Sequence, residues 1–178
     1  TRSASVYGCN AALKICGDLA NAGVVIVSGF AIGIDEYAHR AAVRSDGISV
    51  AVLGCGLDVN YPSGNYSLRQ LVRQNGALIT EFPLGVQPLG KNFPVRNRLI
   101  AGLSEGVLVV QAPQRSGALI TARWALEQGK DVFAVPDSIF DSSGTGNNNL
   151  IKDGAILTSG AGDILNNYRY RFGEKLRG

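Results

Sequence analysis

At 178 residues and 46% hydrophobic content the chain can bury one substantial core, so a single globular domain is the default reading. A formal charge of +3 is far from a histone-like composition, and any affinity for an anion must come from where the cations are placed. The three cysteines form no CxxC pair, which argues against a zinc site, and no apolar run reaches the roughly eighteen residues of a membrane span.

TRSASVYGC has no apolar leader core, so a cytoplasmic protein with reduced thiols is expected, without membrane contact. The first periodic segment is helical, residues 10–21. Apolar runs and helical periods then alternate: VVIVS (24–28), a helix over 34–44, ISVAVLG (48–54), a helix over 67–74, ALIT (77–80), a helix within 96–104, GVLVVQA (106–112), a helix over 117–128 and DVFAVP (131–136). Most runs are continuously apolar, as in strands buried on both faces of a parallel sheet. The alternation predicts an α/β fold with a doubly wound, mostly parallel sheet and helices on both faces. Such a sheet usually begins with a strand, so one is expected before residue 1; with no Met in the sequence, the chain reads as a piece of a longer protein. The Gly- and Asn-rich stretch 137–149 reads as a loop, and 168–178 as a tail or linker following a domain over 1–167.

In an open α/β sheet the ligand crevice lies beyond the carboxyl ends of the strands. SGFAIGID (28–35) sits there: Gly29 and Gly33 permit close backbone approach, and the following helix start favours a phosphate. Its spacing is neither GxGxxG nor GxxxxGK, so no nucleotide cofactor is indicated, and glycines serving only a tight turn are the alternative. QAPQRSGALITA repeats the arrangement with Arg115, Ser116, Gly117 and Thr121. The loop 81–98 adds Lys91, Arg96 and Arg98, so three phosphate-friendly connections converge as a basic groove. Pro94 predicts that the helix begins near Arg96, with Leu99, Ile100 and Leu103 buried and both arginines in the entry turn. Solvated cations at a helix start are the bland alternative. Asp35 and His39 share a helix face but lack a third metal ligand or a nucleophile, so a satisfied polar pair is preferred and no metal is expected. Tyr61, Tyr66 and Trp124 receive no role.

SGFAIGIDEYAH, AVLGCGLDVNYP, NFPVRNRLIAGLS, RSGALITARWALEQGKDVFAVP and GTGNNNLIKDGA, in this order, resemble the DNA-processing protein A family, also called the Smf family. The resemblance covers nearly the whole chain and implies that family's central, extended Rossmann-like domain. It also implies sequence-tolerant binding of single-stranded DNA, homodimers, loading of the RecA recombinase during DNA uptake and natural transformation, and no catalytic reaction or cofactor. Ser28, Gly29, Gly33, Asp35, His39, Arg96, Asn97 and Arg98 match the family pattern. Ile32 stands where the family usually has a cation, Asp137 where it has glycine, Ala118 where it has serine, and asparagines follow GTG where a basic residue is common.

Two other readings stand beside this one. A nucleoside-monophosphate phosphoribohydrolase needs a glutamate beside its phosphate loop, whereas Glu127 lies roughly two turns beyond Thr121. The domain can also be chiefly a protein-interaction platform, whose surfaces a sequence does not locate.

Overall fold

The computed structural model describes residues 4–176. In chain order these form α1 (Val6–Asn21), β1 (Ile26–Ser28), α2 (Ile34–Arg44), β2 (Ser49–Val52), α3 (Tyr66–Gln74), β3 (Gly76–Ile79) and α4 (Asn92–Gly102). They continue as β4 (Gly106–Val109), α5 (Gly117–Glu127), β5 (Asp131–Ala134), α6 (Thr145–Lys152), β6 (Ile156–Leu157) and α7 (Ala161–Phe172). The expected α/β, Rossmann-like architecture is present. The strands form two three-stranded parallel sheets, β1-β2-β3 and β4-β5-β6. Their register runs Val27↔Val50↔Ala77 in the first and Val107↔Val132 in the second.

Local chemistry explains most elements. Ser5 caps α1 by accepting from the Gly8 amide, and Ala12, Ile15, Cys16, Leu19 and Ala20 follow the i, i+3, i+4, i+7, i+8 spacing of one buried stripe. Alternate residues of β4 and β5 face opposite ways. Leu108, Val110 and Phe133 join the cluster containing α1, α2, Ile26 and Ile164, whereas Val107, Val109 and Val132 pack with Ala101, Ala122 and Ala125. Helices therefore cover both faces of this sheet, and the first cluster carries one core from β1 to β5.

Four sequence expectations need adjustment. α4 begins at Asn92, not near Arg96, because a proline in the first turn removes an amide that has no intrahelical acceptor there. Its inward side is polar: Asn92, Arg96 and Asn97 are buried with Ala101, while Leu99 and Ile100 are half-buried and Leu103 is exposed. That inversion follows from position, since α4 covers strand carbonyl ends that need donors; Asn92 Nδ2, for example, donates to Gly54 O at 3.1 Å.

The stretch expected to be loop from 137 to 149 contains a short 3-10 turn and the first half of α6. Tertiary bonding overrides its polar composition. Asn147, fully buried, turns its Nδ2 to Val109 O (2.9 Å), Val110 O (3.0 Å) and Val135 O (2.8 Å). The boundary drawn at 167 falls inside α7, which continues to Phe172. The Tyr168 ring packs on Phe133 with centroids 5.9 Å apart, and its hydroxyl donates to Glu105 O at 2.9 Å. Among the described residues no helix is long and apolar enough to cross a membrane.

Candidate nucleic-acid interface

The loops at the carboxyl ends of β1 and β4 and the start of α4 meet around one cavity of about 970 Å³. Ser28, Arg96 and Asn97 line it from one side, and Arg115, Ser116, Gly117 and Thr121 from the other. Three of the connections expected to converge therefore do so. Gly29, Gly33, Lys91 and Arg98 lie outside its lining.

The loop after β1 is closed on itself. Asp35 Oδ2 accepts from the amides of Gly29 (3.1 Å) and Ala31 (3.2 Å), so the Gly29 N–H expected to hold a phosphate already has an anionic partner. Gly29 serves packing instead: a Cβ there would lie 2.7 Å from Arg96 Nη2. Gly33 has φ of 93° and precedes α2, a conformation that suits glycine. Phe30 takes a φ of 58° with its ring buried 5.4 Å from His39. Ile32, 53% exposed, is the outward residue of this loop.

Arg96 requires the main correction. It is only 3% exposed. Its Nη1 donates to Gly29 O (2.8 Å) and to Val52 O, its Nε donates to Asn97 Oδ1 (3.1 Å), and its guanidinium lies 5.7 Å from the Phe93 ring centre. The side chain ties α4 to the ends of β1 and β2 rather than presenting its charge to solvent. Asn97 extends the tie, since its Nδ2 donates to Gly117 O at 3.1 Å. Arg98 leaves on the other side of the helix and pairs with Glu81.

The start of α5 is open. Arg115 and Gly117 are exposed, and Arg115 forms no ion pair among the described residues. Ser116 caps the helix by accepting from Ala118 N at 3.2 Å, and the amide of Gly117 makes no hydrogen bond among the described residues. Thr121 is buried, with Oγ1 turned to Gly117 O at 3.5 Å. Lys91 is exposed just before α4.

His39 is fully buried and hydrogen-bonded through Nδ1 to Ser49 Oγ at 2.7 Å, so its polar partner is Ser49 rather than Asp35. Burial is the main cause that lowers its pKa to about 4; Asp35 opposes this and Arg96 adds to it. The imidazole is neutral at pH 7.

Sequence reasoning missed a second polar knot. Gln111, buried at the end of the β4 run, accepts from Ser5 N (2.9 Å) and donates to Ser5 Oγ (2.7 Å) and Asp137 Oδ2 (2.9 Å). A glutamine closing the apolar run GVLVVQA was the available signal. Among the described residues no three metal-type side chains gather.

Residues 1–169 match the family described as DNA recombination-mediator protein A. The chain belongs to that family. It is 50% identical over 171 residues to Protein Smf of Escherichia coli (strain K12), an alignment covering 96% of this chain and 46% of that protein. The X-ray structure of DNA processing protein A (DprA) from Streptococcus pneumoniae superposes with a TM-score of 0.86 at 43% identity, covering 93% of this chain and 58% of that one. A structure of DNA processing protein A from Helicobacter pylori, concerned with its single-stranded DNA binding mode, gives a TM-score of 0.85 at 32% identity and covers 96% and 77%. The chain spans about half the length of the curated relatives it matches. Against the family pattern, the added charge of Asp137 is held by Gln111 Nε2 and by the Ser138 amide (2.7 Å). It does not stand free at the mouth of the cavity.

Proposed function

We propose that this domain binds single-stranded DNA without strong sequence preference and serves DNA uptake and recombination. The observation that carries the reading is the open start of α5: an exposed Arg115 with no ion pair, beside a Gly117 amide with no hydrogen bond, among the described residues, at the positive end of a helix and lining the cavity. Lys91, exposed just before α4, supplies a second cation on the α4 connection. Family membership, and the single-stranded DNA binding of the Helicobacter pylori relative, support the same ligand.

Loading of the RecA recombinase, homodimer formation and a cytoplasmic setting belong to this proposal and rest on the family alone. The hydrolase reading is weaker, because Glu127 sits at the far end of α5, about 15 Å along the helix axis from Gly117.

The test is a salt titration with unrelated oligonucleotides and a matched duplex. The chain should prefer the single strand, and Arg115→Ala should weaken all sequences alike while lowering the log–log salt slope by about 0.7. Unchanged affinity and slope in Arg115→Ala would refute the assignment. Release of free base from AMP at a catalytic rate would favour the hydrolase.

A further inference from the structure

The connection after β5 lifts two large apolar side chains into solvent. Ile139 is 86% exposed and Phe140 94%. They are the two central residues of a turn closed by Asp141 N, which donates to Ser138 O at 3.1 Å. Turn centres favour glycine, proline, asparagine, aspartate and serine, so an isoleucine and a phenylalanine side by side there need a reason.

The turn is held firmly. The Phe140 amide donates to Ser138 Oγ at 3.2 Å, and the Ser143 amide to Asp141 Oδ1 at 2.8 Å. Asp137 and Asn148 exchange two hydrogen bonds, at 3.1 and 2.9 Å, and the Tyr7 hydroxyl donates to Pro136 O at 2.7 Å. Both feet of the loop stand on the connection that carries Arg115. Gln111 Nε2 donates to Asp137 Oδ2 (2.9 Å), and Gly146 N donates to Ala112 O (2.9 Å). β4 and β5 are paired neighbours, so the two connections leave adjacent strands at the same edge. An apolar tip fixed beside a positive helix start is a different object from a scattered surface leucine.

Charge selects what the tip receives. Asp137 and Asp141 flank it, each turning a carboxylate to amides of its own loop. A phosphate is repelled there, whereas a flat, uncharged ring is not. Unpaired nucleobases have that chemistry, because every base offers a π-face to an aromatic side chain. In a duplex those faces are stacked inside the helix and out of reach.

We propose that Phe140, with Ile139 beside it, is a base-contacting tip that stacks on unpaired nucleobases of the strand whose phosphates Arg115 holds, and so favours single strands over duplex. The tip rests on the function proposed above and adds an orientation to it: phosphates toward the start of α5, bases toward the connection after β5.

The experiment titrates the full-length protein with an oligothymidylate, an abasic strand of the same length and a matched duplex. Phe140→Ala should weaken oligothymidylate binding by about tenfold while leaving the salt slope unchanged, since no phosphate contact is lost. Its affinity for the abasic strand and the duplex should equal the parent's. Arg115→Ala, by contrast, should lose affinity for both single strands. Phe140→Trp should bind as the parent does, and the fluorescence it adds should be quenched by oligothymidylate and not by the abasic strand. Equal oligothymidylate affinity in the parent and Phe140→Ala, or an equal loss on the abasic strand, overturns the tip and leaves the proposed function standing. So does a Phe140→Ala variant that changes only the association state, which would give the tip to a second copy of the chain. A parent that binds neither single strand overturns the function and the tip together.

Discussion

Arg96 and Arg98 look alike in the sequence and do opposite things. Arg96 satisfies the Gly29 and Val52 carbonyls at the base of the cavity, and Arg98 forms a surface ion pair with Glu81. Truncating Arg96 leaves two buried acceptors unmet, at about 1–3 kcal/mol each. Arg96→Ala should therefore lower stability by at least ~2 kcal/mol in urea denaturation, and Arg96→Lys should not restore it, since an ammonium lacks the planar fork. Arg115→Ala, at an exposed position, should stay within about 0.5 kcal/mol of the parent. A normal unfolding midpoint for Arg96→Ala would return that side chain to the surface role read from the sequence. The sequence placed both arginines in the entry turn of α4, whereas the helix begins at Asn92 and carries them in its second turn. It did not show which one pointed inward, because that depends on carbonyls contributed by residues far along the chain.

Among the elements, each continuously apolar run became a strand and each strong helical period a helix. What escaped was the structure after β5: α6, organised by Asn147 on three strand carbonyls, the short β6, and α7, whose end is fastened through Tyr168. Gly76 escaped too. It looks like a residue before a strand, yet it pairs with Ser49, and a Cβ there would lie 1.9 Å from the Ser49 carbonyl oxygen. Because that neighbour is backbone, the β2–β3 pairing itself must shift. Gly76→Ala should cost about 1–3 kcal/mol. For a domain of this size that corresponds to a fall of roughly 2–4 °C in Tm per kcal/mol. A melting temperature equal to the parent's would mean the strands slide apart freely.

For the molecule as a whole, His39 couples folding to pH. Its folded pKa of about 4 lies below the ordinary 6.5. Between these values the unfolded chain takes up a proton that the folded chain refuses. The histidine's contribution is thus complete above pH 6.5 and is lost as pH falls toward 4, with a slope of up to about 1.4 kcal/mol per pH unit. Urea unfolding from pH 7.5 to 4.5 should show this slope in the parent and a flatter one in His39→Gln; equal slopes would place the proton uptake elsewhere. Asp141 and Asp163, held below the ordinary carboxylate value chiefly by hydrogen bonds from Ser143 and Ser159, lose their contributions at still lower pH. The α/β class was readable from period and alternation alone. The division of the strands into two three-stranded sheets was not, because strand neighbours are chosen across the whole chain.

The carboxylate of Asp35 acts as a built-in anion for the glycine loop. By filling the Gly29 and Ala31 amides from within, it makes the β1 wall of the mouth electrically quiet and leaves the α5 wall positive. The mouth is lopsided. On the function proposed above, a polyanion passing over it would be drawn to one bank, its path set as much by the loop that declines it as by the helix that receives it.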